Sequence, residues 1–285
     1  MQQIHFMEIN QKDRLKEVLS IPTFVGKEEK MTEYLMDYLT RINVVHYSDE
    51  FGNVYATKGI SDTYPCVVAH IDTVHKPISF KVYEQNDKLY AMNNHGQKAG
   101  IGGDNKAGVF VCLELLRKQK NIKAAFFVSE EVGCLGAYLS DATFFENVGY
   151  AIEFDAPYHN WISHFSDGIE LFDLNGEFFQ TIKPVFEEHI KFDWGMLGYH
   201  PYTDVSALKS LYDFTCLNYS VGYHNMHSVN EYVSIDEVEG SLNIAKDLLK
   251  ALGNKKYEFK QGVVISEGRI EDMKQQIREW KSYEY

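Results

Sequence analysis

The chain of 285 residues is 45% hydrophobic, enough to bury a full core in one large α/β domain. A net charge of −13, with no stripe of Lys and Arg, excludes a nucleic-acid surface, and no run approaches the roughly 18 apolar residues of a membrane span. MQQIHFMEINQKDRLKEVLS is polar where a signal peptide is apolar, and Cys66, Cys112, Cys134 and Cys216 lie in apolar segments without CxxC spacing, so a soluble cytoplasmic protein with reduced cysteines is expected.

Leu15, Val18 and Leu19, then Met31, Leu35, Tyr38 and Leu39, predict two amphipathic helices interrupted near Pro22. Residues 43–47 and 53–58 flank the turn composition DEFGN and read as a hairpin leading to a strand at 66–71. A second hairpin is read in FKVYE-QNDK-LYAM. DNKAGVFVCLELLRKQ, apolar nearly all round, predicts a helix buried against a sheet, followed by strands at 124–129 and 149–155. TDVSALKSLY reads as helix, FTCLNYSV as strand, and SIDEVEGSLNIAKDLLKAL as a long helix opened by Ser234, with Glu237 completing a capping box. This alternation predicts an α/β fold.

Polar residues with ligand chemistry fall at the ends of these elements. His70 and Asp72 end the strand VVAHID two residues apart, so both side chains leave on one face. Asp104 sits in GIGGDNKAG, Glu130 and Glu131 follow AAFFVS, Asp155 ends AIEFD, and His227 precedes the last long helix. Each has a plain alternative: a strand end meeting water, a capped tight turn, a solvated pair, a turn before Pro157, a surface loop. Residues ending separate strands of an open α/β sheet can nevertheless converge in the crevice beyond the strands' carboxyl ends. Two histidines and three or four carboxylates are the usual nitrogen and oxygen ligands of zinc. Five residues suffice for two cations about 3.5–4 Å apart if one carboxylate bridges them, and Glu130-Glu131 could supply one ligand and one base.

HIDTV, GGDNKAG, SEEVG, EFD and HSVNE, in that order over residues 12–252, resemble the co-catalytic metallopeptidases of aminopeptidase, carboxypeptidase and tripeptidase T type. The resemblance implies a three-layer αβα sandwich around a mostly parallel mixed sheet, and two divalent ions, zinc by preference with cobalt or manganese as substitutes. It implies that His70, Asp104 and His227 ligate one metal, that Asp104 bridges to a second held by Glu131 and Asp155, that Asp72 orients His70, and that Glu130 is the general base. Glu153, on the same face as Asp155, is the fallback ligand. A cis peptide bond after Asp104 is also implied.

Lidded members of that group carry a further domain between the Asp155-type ligand and the last histidine, whereas here 71 residues intervene; 33 residues separate His70 from Asp104, too few for the domain that another branch inserts there. The chain therefore resembles the compact, lidless branch, a single catalytic domain over 1–285. The lid histidine that helps stabilise the oxyanion in lidded relatives has no evident counterpart; His159, His164, His200, Tyr223 and His224 are candidates. From Lys255 the chain runs beyond the resemblance, and Ile270, Met273, Ile277 and Trp280 form an apolar stripe expected to pack on the domain. No GxSxG elbow, HExxH helix or P-loop is present. The expected activity is an aminopeptidase for small peptides. The alternatives are a metal-dependent deacylase of N-acyl amino acids and a non-catalytic binding module, with the oligomeric state left open.

Overall fold

The computed structural model describes residues 11–76, 78–191, 197–200, 202–260 and 266–282. Residues 1–10, on which the reading against a signal peptide partly rests, and residues 261–265 and 283–285 of the C-terminal extension lie outside them. In chain order the elements are α1 (Gln11–Leu19), α2 (Glu29–Arg41), β1 (Val45–Ser48), β2 (Val54–Lys58), β3 (Tyr64–His70), β4 (Phe80–Gln85), β5 (Lys88–Asn93) and β6 (Lys98–Ala99). There follow α3 (Gly103–Lys118), β7 (Ile122–Phe127), α4 (Leu135–Tyr138), α5 (Ala142–Phe145), β8 (Val148–Ala156), β9 (Ile162–Ser166), β10 (Ile169–Glu170) and α6 (Glu177–His189). The last are β11 (Gly198–His200), α7 (Asp204–Leu211), β12 (Thr215–Ser220), β13 (Tyr223–His224), β14 (Tyr232–Ser234), α8 (Ile235–Leu252) and α9 (Glu267–Ser282).

The larger sheet has the order β1-β2-β7-β3-β8-β12-β9-β10, with β11 beside β9. Its centre is parallel: β3 runs parallel to β7 and to β8, and β8 to β12. The expected first hairpin, β1 and β2, joins its edge antiparallel to β7. β3, β7, β8 and β12 are buried at every position, because strands covered on both faces need apolar side chains on both. α3 lies on β3, β7 and β8, and groups with α1, α8 and, through α8, α6; α7 lies on β3, β8 and β12 and groups with α4. Two helices covering the same two strands occupy opposite faces, which makes the three layers.

Buried Arg14 of α1 donates to Glu114 of α3 through Nε (2.6 Å) and Nη2 (3.0 Å), a bidentate pair that fixes the first helix. α3 approaches β8 so closely that a Cβ on Gly108 would meet the Phe154 carbonyl oxygen at 2.7 Å and Asn105 Oδ1 at 1.9 Å. On α9, Met273 and Ile277 are buried and Ile270 and Trp280 pack against the core, while Lys281 Nζ donates to the Phe51 carbonyl (2.6 Å). Among the described residues no helix is long and apolar enough to cross a membrane.

The second hairpin belongs to a smaller sheet, β13-β14-β5-β4 with β6 on β5. β14 pairs with β5, Val233 opposite Leu89, tying the hairpin to the segment that carries His227. The expected capping box of α8 does not form: Ser234 is the N-cap but makes no side-chain cap bond. Asp87, in the β4–β5 turn, takes its place by accepting the N–H of Ile235 at its carbonyl (3.0 Å) and of Asp236 at Oδ2 (3.1 Å). Glu237 instead faces His159 (3.2 Å) and His224 (2.5 Å). A capping box does form at α7, between Thr203 and Ser206.

Glu28, buried ahead of α2, accepts the Gly26 N–H at 2.8 Å. Burial, then the charge of Asp72, pushes its carboxyl up to about 8. The stability associated with the protonated form is thus fully present below the ordinary value of 4.5 and is lost as pH rises through about 8. Relative to wild type, Glu28→Gln should gain little in urea unfolding at about pH 4.5 and progressively more towards about pH 9; a difference that stays constant with pH would contradict this.

Candidate metal centre

Because β3, β7, β8 and β12 are parallel neighbours, their carboxyl ends open on one edge. β3 delivers His70 and, just beyond it, Asp72; the turn after β7 delivers Glu130 and Glu131; β8 delivers Asp155. The glycine-rich loop brings Asp104 to the start of α3, with Gly102 in the left-handed region at φ 67°. His227 arrives from the loop between β13 and β14. Ser129 and His227 are themselves left-handed, at φ 56° and 59°, a conformation unfavourable for non-glycine residues and concentrated at functional sites.

Asp104 stands at the centre. Its Oδ1 lies 3.1 Å from His70 Nε2, and its Oδ2 lies 3.2 Å from His227 Nε2. Asp155 Oδ1 is 3.6 Å from His70 Nε2, and Glu131 Oε2 is 3.1 Å from His227 Nε2. The grouping therefore differs from the expected one: His70 goes with Asp104 and Asp155, and His227 with Asp104 and Glu131. His70 and Asp155 end adjacent paired strands, whereas His227 reaches Glu131 from the loop between β13 and β14. The Asp104–Asn105 peptide bond is cis.

Asp72 does more than face His70, whose Nδ1 lies 3.3 Å from its Oδ1. Its two oxygens accept the backbone N–H groups of Glu130 (3.0 Å) and Glu131 (3.1 Å), so one carboxylate sets both the imidazole and the glutamate turn. Glu130 Oε2 is 3.8 Å from His70 Nε2, and Cys134 Sγ donates to its Oε1 (3.5 Å). Glu153 is buried beneath this layer and accepts the Val205 N–H (3.0 Å); Asp155, not Glu153, faces the imidazole. Of the oxyanion candidates, His200 and Tyr223 line the cavity at the cluster. His159 and His224 are engaged by Glu237, and His164 by Glu170 (3.0 Å).

Glu231 has no role in the sequence reading, although it ends HSVNE. It is buried; Oε1 accepts the N–H of Asp104 (3.0 Å), and Oε2 accepts that of Gly102 (2.9 Å) and lies 2.6 Å from His75 Nε2. It thereby holds the loop that aims Asp104. Its place after His227 marks it as part of a motif, but nothing in spacing shows that it reaches back to residue 102.

The electrostatics suit cations. Burial pushes Asp155 up to about 7, with Asp104 adding to it, drives Glu130 well above the usual carboxylate value, and raises Glu131, in each case against the pull of a histidine. Hydrogen bonds to Asp104 and Glu131 raise His227 to about 10. For Asp104, burial opposes ionisation, but His227 and His70 outweigh it and hold the carboxyl low. Buried Glu131 Oε1 has no hydrogen-bond partner among the described residues. His70, Asp104 and Glu131 present ligand atoms within 4.8 Å of one another, as do His70, Glu130 and Asp155. Imidazole nitrogens and carboxylate oxygens in this density fit divalent ions of the zinc type.

The fold is shared with solved peptidases. Aminopeptidase PepT from Bacillus cereus superposes with a TM-score of 0.71 at 13% identity, covering 86% of this chain and 99% of that one. The Pyrococcus horikoshii TET1 peptidase does so with a TM-score of 0.63 at 14% identity, covering 84% and 99%. In sequence, the [LysW]-lysine hydrolase of Deinococcus radiodurans is 24% identical over 146 residues, which is 51% of this chain and only 37% of that protein. No family model matches the chain.

If Glu231 holds Asp104 in place, Glu231→Gln should weaken zinc binding about 10- to 100-fold in a chelator competition, with the circular dichroism spectrum unchanged. Unaltered affinity would reduce Glu231 to a structural contact.

Proposed function

We propose that this protein is a two-metal peptide hydrolase, an aminopeptidase acting on small peptides, with residues 1–285 forming one catalytic domain. The observation that carries the reading is the placement of the Asp104 carboxylate between His70 and His227, one oxygen towards each. His70, Asp104 and Asp155 would hold one ion, and Asp104, Glu131 and His227 the other, zinc by preference. Held there, such ions would polarise a carbonyl and lower the pKa of water towards about 7. Asp72 orients His70 and the glutamate turn. Glu130, buried on the cavity wall, accepts a proton from the attacking water and returns it to the leaving amine. Of the oxyanion candidates on the cavity wall, Tyr223 gives its hydroxyl hydrogen to Asp155 Oδ1 (3.3 Å) and His200 Nδ1 donates to the Tyr202 carbonyl (2.7 Å), so either would have to exchange that partner to serve the oxyanion. The free, buried Cys66, Cys112, Cys134 and Cys216 support a reducing, cytoplasmic setting.

Two variants separate the glutamates. Glu131→Ala leaves the second ion with Asp104 and His227, so elemental analysis of dialysed protein should show metal falling towards one per chain, and activity falling with it. Glu130→Gln keeps every ligand but cannot accept a proton; metal should stay near two per chain while kcat drops at least about 10²- to 10⁴-fold. Loss of metal from Glu130→Gln with full retention in Glu131→Ala would reverse the roles. Full activity of chelated, metal-free protein would end the two-metal reading.

A further inference from the structure

The cavity of about 410 Å³ beside the cluster has two kinds of lining. One part is the carboxylates and His227; most of the remainder is Tyr158, Trp161, Tyr199, Tyr202 and Met226. These five side chains are among the large apolar residues left exposed on the described surface, between 37% and 59% accessible. Large apolar groups gathered around one cavity mark a binding site rather than ordinary surface.

The wall is fixed to the same framework as the cluster. Tyr158 donates its N–H to the Tyr223 carbonyl (3.0 Å) and accepts the Gly222 N–H (2.8 Å), with its ring edge-on to His224 at 5.2 Å. Trp161 donates its N–H to Ser220 Oγ (2.7 Å). Its indole packs on β11, where a Cβ on Gly198 would come within 2.3 Å of Nε1. Tyr202 donates its hydroxyl to the Glu131 carbonyl (3.3 Å). The aromatic surface is thus preorganised next to the proposed metal ligands, so little ordering is needed on binding.

The charged lining is equally informative. The described residues around the cavity include Asp104, Glu130, Glu131 and Asp155 but no Lys or Arg. A substrate's terminal carboxylate, one or more residues from the scissile bond, would find no fixed cation there beyond ions already engaged at the reacting carbonyl. Tight recognition of a carboxylate calls for Arg or Lys.

We propose that the Tyr158, Trp161, Tyr199, Tyr202 and Met226 wall is the subsite for a large apolar side chain beside the scissile bond, and that substrates need no free terminal carboxylate. The inference rests on the peptide-hydrolase reading of the cluster. It favours peptides and amides with Phe, Leu or Met at that position over those with Ala or Glu, and it disfavours N-acyl amino acids, which present a carboxylate.

The test uses the zinc-loaded full chain. In hydrolysis, Phe- and Leu-peptides should exceed the Ala-peptide in kcat/KM by about 10-fold or more, Phe-Ala and its C-terminal amide should be cleaved about equally, and Trp161→Ala should erase most of the Phe preference, lowering kcat/KM for the Phe-peptide far more than for the Ala-peptide. Preference for Ala or Glu, an unchanged preference in Trp161→Ala, or a loss of about 100-fold on amidation would overturn the proposal. Calorimetric binding of L-phenylalaninol and L-alaninol, which contain neither a scissile bond nor a carboxylate, reads the subsite without catalysis. Phenylalaninol should bind about 10-fold tighter or more, and equal affinities would overturn the subsite. Absence of peptide hydrolysis with that binding preference intact would overturn the peptidase reading and leave the subsite standing.

Discussion

Carboxylates repel one another and resist leaving water, and this protein buries a layer of them at one sheet edge. Asp72, Asp104, Glu130, Glu153, Asp155, Asp204 and Glu231 are all buried. An isolated carboxylate is not tolerated in such surroundings; it must find N–H donors, a cation or a proton. Backbone amides answer part of this need, two at Asp72, two at Glu231 and one at Glu153. Histidines answer another part, at Asp104 from both sides. Glu131 Oε1, Glu153 Oε1 and both oxygens of Asp204 are left without hydrogen-bond partners among the described residues, and burial followed by the charge of Glu153 drives the Asp204 carboxyl well above its usual range. Such an edge calls for positive charge, and the proposed ions would provide it.

The architecture serves that edge. Where the strands of a parallel sheet covered on both faces end, the backbone N–H groups of the following turns remain free to donate to polar groups held at depth. Asp72 uses two of these. The small sheet solves a different problem: His227 and Glu231 lie far along the chain from Asp104, and pairing of β14 with β5 brings them over it. Asp87 then joins that sheet to the start of α8. The hairpin between β3 and the glycine loop is therefore a scaffold for the second histidine and not a mere connection.

Much of this was legible in the residues. The two helices about Pro22, both hairpins, the buried strands and helices α3, α7 and α8 follow from local pattern, because burial on one face or two leaves a period in the apolar positions. The convergence of His70, Glu130, Glu131 and Asp155 was inferable once the strands were taken as parallel. The stretch from 156 to 203 was not legible: β9, β10 and β11 are short, and α6 carries Pro184 inside it, a residue that argues locally against helix. The α8 cap also escaped, since Ser234 and Glu237 have the right spacing, but Asp87, distant in sequence, supplies the acceptors and the two histidines draw Glu237 away.

By itself, then, the sequence determined which side chains have the donor types a metal would need, in what order, and at the end of which elements, because these depend on residue type and local periodicity. Only the tertiary structure decided that Asp104 divides its oxygens between His70 and His227, that Asp155 stands with His70 and Glu131 with His227, that Glu231 holds the Asp104 loop, and that an aromatic wall without Lys or Arg among its described residues adjoins them. Those are distances between segments tens to hundreds of residues apart, and they are set by strand order and helix packing, on which spacing along the chain places no constraint.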